Sequence, residues 1–423
     1  MKKIRILSLV IALLMLTMVF AACNNNNGDN GTQKEKVTLT VWGSQEDQEM
    51  LKEMCAAFAA ANPDKEYKFL FGVQGEGDAA DKILNDVTSG PDVFSFASDQ
   101  INKLIAGGAL ARIGGKAEED VRNNNTATSV ESASVTIDGQ NMLYAYPCTE
   151  DNTLILYYDK SVIDAEDVTT LGGLLDAAYA AGRKVHFKLN DDGWYLSSFF
   201  FTNPDLKYEV SYNDKMVEQS VKINFNNEDG LKVMKSLRTY LQHDALVAHT
   251  DDSKIIAAFT EGSAAAAITG TWNRTLIEGI LKENMGVCKL PSVNIDNQDV
   301  QLSGFMGYKL IGVNGYSQNK GEAHKLAQWL TNQQNQLIRF ETRGFGPTNK
   351  VVAEMDVVKN DIVIAAVLEQ AQYNRAQKSV PGNYWTPMGS LITPIITAKD
   401  EGTEVTDEML QEYLDALCSQ IAK

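Results

Sequence analysis

Histidine and cysteine are both scarce, four and five in 423 residues, and neither is arranged for chemistry. His186, His243, His249 and His324 have no metal-ligand spacing, and neither HExxH nor Gly-x-Ser-x-Gly occurs, so the zinc-peptidase and serine-hydrolase signatures are missing. Cys55, Cys148, Cys288 and Cys418 lie far apart with no CxxC pair, which excludes a zinc site and a small disulfide scaffold. Buried free thiols are expected, with one disulfide of unknown pairing as the alternative. Positive charge is also short: 38 Lys and Arg face 55 Asp and Glu. A phosphate backbone attracts basic stripes, so nucleic acid is a poor partner, and the acidity reads as a solubility device. No cofactor or metal is implied. Gly75-Glu-Gly-Asp-Ala-Ala80 imitates a dinucleotide turn, but its acids would repel a pyrophosphate.

The chain carries one long uncharged run, Ile6 to Ala22, preceded by Lys2, Lys3 and Arg5 and followed by Cys23 and an Asn/Gly-rich stretch. A cationic start, an apolar centre and small residues make a secretory signal, and Phe20-Ala21-Ala22-Cys23 resembles a bacterial lipobox with phenylalanine where leucine is usual. Residues 1–22 are therefore expected to be a signal peptide. Cys23 is expected to be the lipidated first residue, with the stretch to residue 35 a flexible linker. A plain signal peptide or membrane anchor is the alternative. Removing three cations takes the formal charge from −17 to −20.

About 400 residues then remain, too many for one ordinary core, which points to two lobes. Apolar alternation in Val37–Trp42 predicts a strand, helical spacing of Met50, Leu51, Met54 and Phe58 predicts a helix over 48–61, and Tyr67–Val73 predicts a second strand. A helix over 78–88, a strand over 92–97, a helix over 228–243 and a strand over 264–269 continue the alternation, which is that of a parallel α/β sheet. No short repeat period appears.

Five segments, in order, resemble the extracellular solute-binding proteins of family 1, the maltose-binding-protein-like receptors of ABC importers. They are Val37-Thr-Leu-Thr-Val-Trp42; Ser89-Gly-Pro-Asp-Val-Phe94; Gly139 to Pro147 running into Leu156-Tyr-Tyr-Asp-Lys160; Ala258-Phe-Thr-Glu-Gly262 with Ala266 to Trp272; and a helical tail from Thr406. The resemblance implies a two-lobed periplasmic-binding-protein-like α/β fold of class II, closing on a ligand by a hinge. It implies lobes of residues 36–148 plus 304–345 and 149–303 plus 346–423. The chain would cross near Pro147–Thr153, Leu302–Met306 and Gly344–Pro347. It implies no catalysis. The partners would be an oligosaccharide, favoured as maltodextrin-like, and a permease, with the protein a monomer tethered to the outer face of the cell membrane.

A sugar offers hydroxyls around apolar C–H faces, so its site needs carboxylates or amides at the rim and flat aromatics beneath. The resemblance carries such roles onto Phe96, Asp99, Glu150, Asp191, Trp194 and Trp272, and more loosely onto Glu46, Asp47 and Asp78. Trp385, in Pro381-Gly-Asn-Tyr-Trp-Thr-Pro387, is a further candidate plate. The family's first-loop lysine is absent, and Gln100 stands in place of its arginine. Each residue has a plainer alternative: Phe96 and Trp194 as core, Glu150-Asp151 as a solvated turn, Trp385 in a packed loop. Other classes also remain: a receptor for a polyamine or other cationic molecule, since acids and aromatics cage ammonium groups, a lipid-anchored glycoside hydrolase using two of the carboxylates, and an adhesion or scaffold lipoprotein without a small ligand.

Overall fold

Alternation decides the first strand. In Glu35–Gly43 the residues Val37, Leu39 and Val41 are buried while Thr38 is exposed, the pattern of a pleat with one face on a core. The computed structural model describes residues 34–248 and 251–423; the apolar leader and Cys23 lie outside the described residues. Glu35, the last residue of the expected linker, is already part of this strand, and the linker up to residue 33 also lies outside the described residues. The helix that follows, Gln48–Ala61, buries Met50, Leu51, Met54, Cys55 and Phe58 along one face and stops before Pro63, which disfavours helical backbone in the residue ahead of it.

The structure is organised around two mixed sheets. In the first, the strand order is Arg375–Ala376, Phe305–Val313, Val93–Ala97, Glu35–Gly43, Lys65–Val73, with Ala145–Asn152 also paired to Phe305–Val313. In the second it is Leu246–Ala248, Lys184–Phe187, Ala264–Gly270, Leu154–Asp159, Met285–Cys288. The parallel rhythm holds where Val41 faces Val93 and where Ala264–Gly270 and Leu246–Ala248 flank Lys184–Phe187. It fails where Phe305–Val313 pairs antiparallel with Val93–Ala97 and Ala145–Asn152, and where Leu154–Asp159 pairs antiparallel on both sides. Those antiparallel strands enter from the opposite sheet or return from a hairpin, a connection that local periodicity does not register.

The expected helix over 78–88 is shorter. It spans Ala79–Asn85, because the Asp86 side chain accepts from the amides of Thr88 and Ser89 and diverts the chain into a short 3-10 turn. The other expected elements are present as Val93–Ala97, Glu228–Gln242, Ala264–Gly270 and Asp407–Ile421. The four cysteines of the described residues are free, three of them buried.

Each sheet has its own core. One gathers Leu39, Phe58, Phe94, Phe96, Tyr146 and Leu310; the other gathers Leu156, Phe187, Phe199, Phe225, Phe305 and Tyr384. Strand Phe305–Val313 belongs to both, with Phe305 in the second core and Leu310, Ile311 and Val313 in the first. The chain leaves the first sheet at Asn152 and enters the second at Leu154, and it returns between Gln301 and Phe305. A third passage lies beside the first: the Glu150 amide donates to the Gly346 carbonyl at 2.9 Å, and Thr149 bridges Pro347. Hairpin Tyr208–Tyr212/Glu218–Ile223 lays its strands on the second core while Met216 at its tip packs on the first.

Candidate functional site

A cleft of about 530 Å³ opens where the crossing segments meet, within the size range of small-ligand sites. From the first sheet's side come Glu76, Gly77, Asp78, Ala97, Asp99 and Gln100; from the crossing strands Asn152 and Lys309; from the second sheet's side Lys188, Asp191 to Tyr195 and Trp272; and from the C-terminal part Gln377, Trp385 and Thr386.

Three tryptophans and a tyrosine form its apolar wall. Trp272 follows the fully buried strand Ala264–Gly270, at a strand's carboxyl end where α/β sheets place ligands. Its indole lies back over that strand, and only glycine fits beneath: a Cβ on Gly270 would come within 2.0 Å of the ring. Trp194 meets Trp272 at 5.5 Å and 61°, and lies nearly parallel to Phe305 at 6.3 Å. Phe305 in turn meets Trp385 edge-on at 5.5 Å. These geometries are the edge-to-face and offset pairs that aromatic quadrupoles favour.

The polar rim is rich in acceptors. Asp99 is half-buried, yet its Oδ1 is buried with no hydrogen-bond partner among the described residues. Burial pushes its carboxyl up to about 7, with its own backbone amide, Gln377 and Lys103 pulling the other way. Asp192 caps helix Gly193–Phe200 by accepting from the amides of Trp194 and Tyr195 at 2.9 and 3.2 Å, and pairs with Lys188 at 2.9 Å. Asp78 and Asp191 are exposed. Lys309 lies 3.9 Å from the centre of the Phe345 ring. Gln377 accepts from Trp194 Nε1 at 3.1 Å and from Asn152 Nδ2 at 3.3 Å, while its carbonyl accepts from Ser98 Oγ at 3.1 Å. It thereby ties the aromatic wall, a crossing strand and the first sheet together.

Of the ten residues expected to touch ligand, the structure brings six to the cleft: Asp78, Asp99, Asp191, Trp194, Trp272 and Trp385. Four stand outside its lining. Phe96 is fully buried and packs on Phe94 at 5.6 Å in the first core, so it is not a plate. Asp47 is buried in ion pairs with Arg339 at 2.9 Å and Arg343 at 3.0 Å, which use both its oxygens. Glu46, beside it on a 3-10 turn, is exposed. Glu150 accepts from Thr126 at 2.5 Å and Thr128 at 2.7 Å, holding a nearby helix to the crossing strand.

Sequence reasoning missed Glu76, Asn152, Lys188, Asp192, Tyr195, Lys309, Gln377 and Thr386 as lining residues. Asp192 carried a local signal as the acid ahead of a helix. Gln377, Asn152 and Lys309 carried none. Gln100, expected only as a missing cation, donates its side-chain amide to the carbonyls of Glu76 and Gly77 and accepts from the Ala80 amide, so it pins the turn that carries Asp78.

The passages beside the cleft are tied by side chains. Asp151 is buried; its Oδ2 accepts from the Gly346 amide at 2.8 Å, and burial raises its pKa. Thr271, next to Trp272, donates to the Asp151 carbonyl at 2.8 Å, and Arg274 donates to the Gly344 carbonyl at 3.1 Å while pairing with Asp361. Among the described residues no cluster of His, Cys, Asp and Glu could hold a metal, and no helix is long and apolar enough to cross a membrane.

The chain is 26% identical over 416 residues to the galactooligosaccharide-binding protein of Bacillus subtilis (strain 168), spanning 93% of each. It is 30% identical to a solved structure determined with acarbose, with a TM-score of 0.78, covering 91% of this chain and 98% of that one. The maltodextrin-binding protein of L. casei BL23, solved without ligand, shares the two-lobed fold at a TM-score of 0.74 and 23% identity, over 92% of this chain and 99% of that one. Residues 53–366 match the model of the bacterial extracellular solute-binding proteins. The chain belongs to that family, whose members bind solutes and are not enzymes.

Proposed function

We propose that this protein is the capture receptor of an ABC importer and that its cargo is an oligosaccharide of maltodextrin type. The observation that carries the reading is the cleft itself, where a wall of Trp194, Trp272 and Trp385 faces a rim of carboxylates and amides. Aromatic faces suit the C–H patches of a pyranose, and carboxylates suit pairs of its hydroxyls. Asp78, Asp99, Asp191, Trp194, Trp272 and Trp385 are the ligand contacts in this reading. The carboxylate Oδ1 of Asp99 takes a sugar hydroxyl as its missing partner. Relatives that bind galactooligosaccharide, maltodextrin and acarbose support the cargo class.

Closure brings residues 36–148 and 304–345 toward residues 149–303 and 346–423 about the three crossing segments, with strand Phe305–Val313 shared between the cores. Binding favours the closed arrangement, which the permease recognises, and the partner ATPase supplies the energy. A lipid on Cys23 tethers a monomeric receptor to the outer face of the cell membrane. A second reading, a cationic cargo, is favoured by one observation: five carboxylates line the cleft against two lysines, one of them paired with Asp192 and the other seated over Phe345.

Thermal shift with α- and β-linked oligosaccharides, monosaccharides and polyamines, followed by calorimetry and analysis of the recovered ligand, tests the proposal. A glucan series should raise the melting temperature by mass action, be recovered intact, and lose its effect in Trp272→Ala. A response to polyamines alone would replace the sugar with a cationic cargo, and cleavage of the sugar would refute a receptor role.

A further inference from the structure

The two tryptophans that the second sheet's side presents to the cleft are both held by their indole N–H. Trp194 donates to Gln377, itself a cleft residue. Trp272 donates instead to Asp252, at the start of helix Asp252–Thr260, which lies behind the wall and is not part of the cleft lining. Asp252 Oδ2 accepts from Trp272 Nε1 at 3.0 Å. Its Oδ1 accepts from the Tyr195 hydroxyl at 2.7 Å and from Thr269 Oγ1 at 3.3 Å. Thr269 is itself held, meeting the Tyr195 hydroxyl at 3.1 Å and accepting from Asn273 Nδ2 at 2.8 Å. One carboxylate therefore holds two of the aromatic rings that line the cleft, one on each oxygen.

Stacking on a sugar depends on the plane of the ring, and a tryptophan's second side-chain torsion is broad unless something fixes it. Around Trp272 the constraints come from three sides. Gly270 leaves room beneath the ring, Trp194 and Tyr195 meet it edge-on at 5.5 and 6.3 Å, and Asp252 takes its N–H. The first two limit where the ring can go, and the hydrogen bond selects its orientation. Hydrogen bonds to an ionised acceptor are the stronger kind, and an amide at this position keeps only one acceptor, a neutral one, so the charge-assisted bond to Trp272 is lost whichever way the amide turns.

We propose that Asp252 is a positioning residue of the ligand site: it sets the planes of Trp272 and Tyr195, and through them the affinity for a stacked ring, without touching the ligand. The inference rests on the sugar reading of the cleft. Its first test needs no ligand. The Trp272 indole ¹H–¹⁵N resonance, assigned by its loss in Trp272→Phe, should shift in Asp252→Asn, and its N–H should exchange faster with solvent. Calorimetry with maltotriose should then show Asp252→Asn binding about tenfold more weakly, the order expected for losing one charge-assisted hydrogen bond. In the Trp272→Phe background, which has no indole N–H, the same change should cost clearly less. Asp252→Asn is nearly isosteric, and its melting temperature separates misfolding from mispositioning; Tyr195→Phe, which removes only the other donor, gives a second variant. An unmoved Trp272 resonance in Asp252→Asn, or an equal loss of affinity in both backgrounds, would overturn the proposal. Failure of the wild type to bind maltotriose or any other oligosaccharide would instead overturn the sugar reading, while the resonance still decides whether Asp252 holds the ring.

Discussion

Asp99 is a carboxyl that the fold buries at a cost. Its carboxyl is pushed up to about 7 by burial, above the ordinary carboxylate range, and its Oδ1 has no partner among the described residues. A carboxylate whose pKa is raised by folding holds its proton more tightly in the folded state. Its contribution to stability is therefore lost as pH rises from the usual carboxylate range through about 7. Asp99→Asn should melt above the wild type by a margin that is small near pH 5 and grows to about 1 to 3 °C near pH 8, while weakening the binding of sugar. A gain of the same size at both pH values would show that burial of this charge is not the cause. Asp99 was reached through its neighbours in the Gly-Pro-Asp strand. Phe96, three residues away, was misplaced because Val93–Ala97 is buried on both faces except at Ser95, so alternation does not say which way a ring points.

At the scale of an element, Gly344 closes helix Gln333–Arg343 in the left-handed region at φ 70°, and a Cβ there would come within 2.7 Å of Arg274. Gly344→Ala should therefore destabilise the protein by about 1 to 2 kcal/mol from the backbone alone, and more if Arg274 loses its bond to the Gly344 carbonyl. Urea unfolding would measure it, and a change below a few tenths of a kcal/mol would mean the passage tolerates the side chain. The elements themselves were mostly legible, because a strand such as Glu35–Gly43 and a helix such as Gln48–Ala61 each carry their period in contiguous residues. What local sequence did not convey was pairing. Strand Arg375–Ala376 is two residues long and joins Phe305–Val313 from 70 positions downstream. That register is what carries Gln377 to Trp194 and Asn152, and no local pattern marks the glutamine as a site residue.

At the scale of the whole molecule, the two cores account for the two lobes expected from length, and the five ordered segments of family resemblance carried the architecture further than composition could. The contacts between the crossing segments carry no local signal: the Asp151–Gly346 and Arg274–Gly344 bonds join residues 70 or more apart. Strand Phe305–Val313 lies between Val93–Ala97 and Ala145–Asn152 in the first sheet, so the sheet built from the first residues of the chain is missing its centre until residue 313 has been made. A chain truncated after Ser303 should leave Val93–Ala97 and Ala145–Asn152 as unpaired edges and show no hydrogen-exchange protection in the first core, whereas protection there would mean that this sheet assembles without its central strand. In a polypeptide emerging amino end first, the strands of this sheet would then stay unlocked until some three hundred residues have followed one another out, which is the condition in which that part of a chain can be threaded through a narrow pore before it locks.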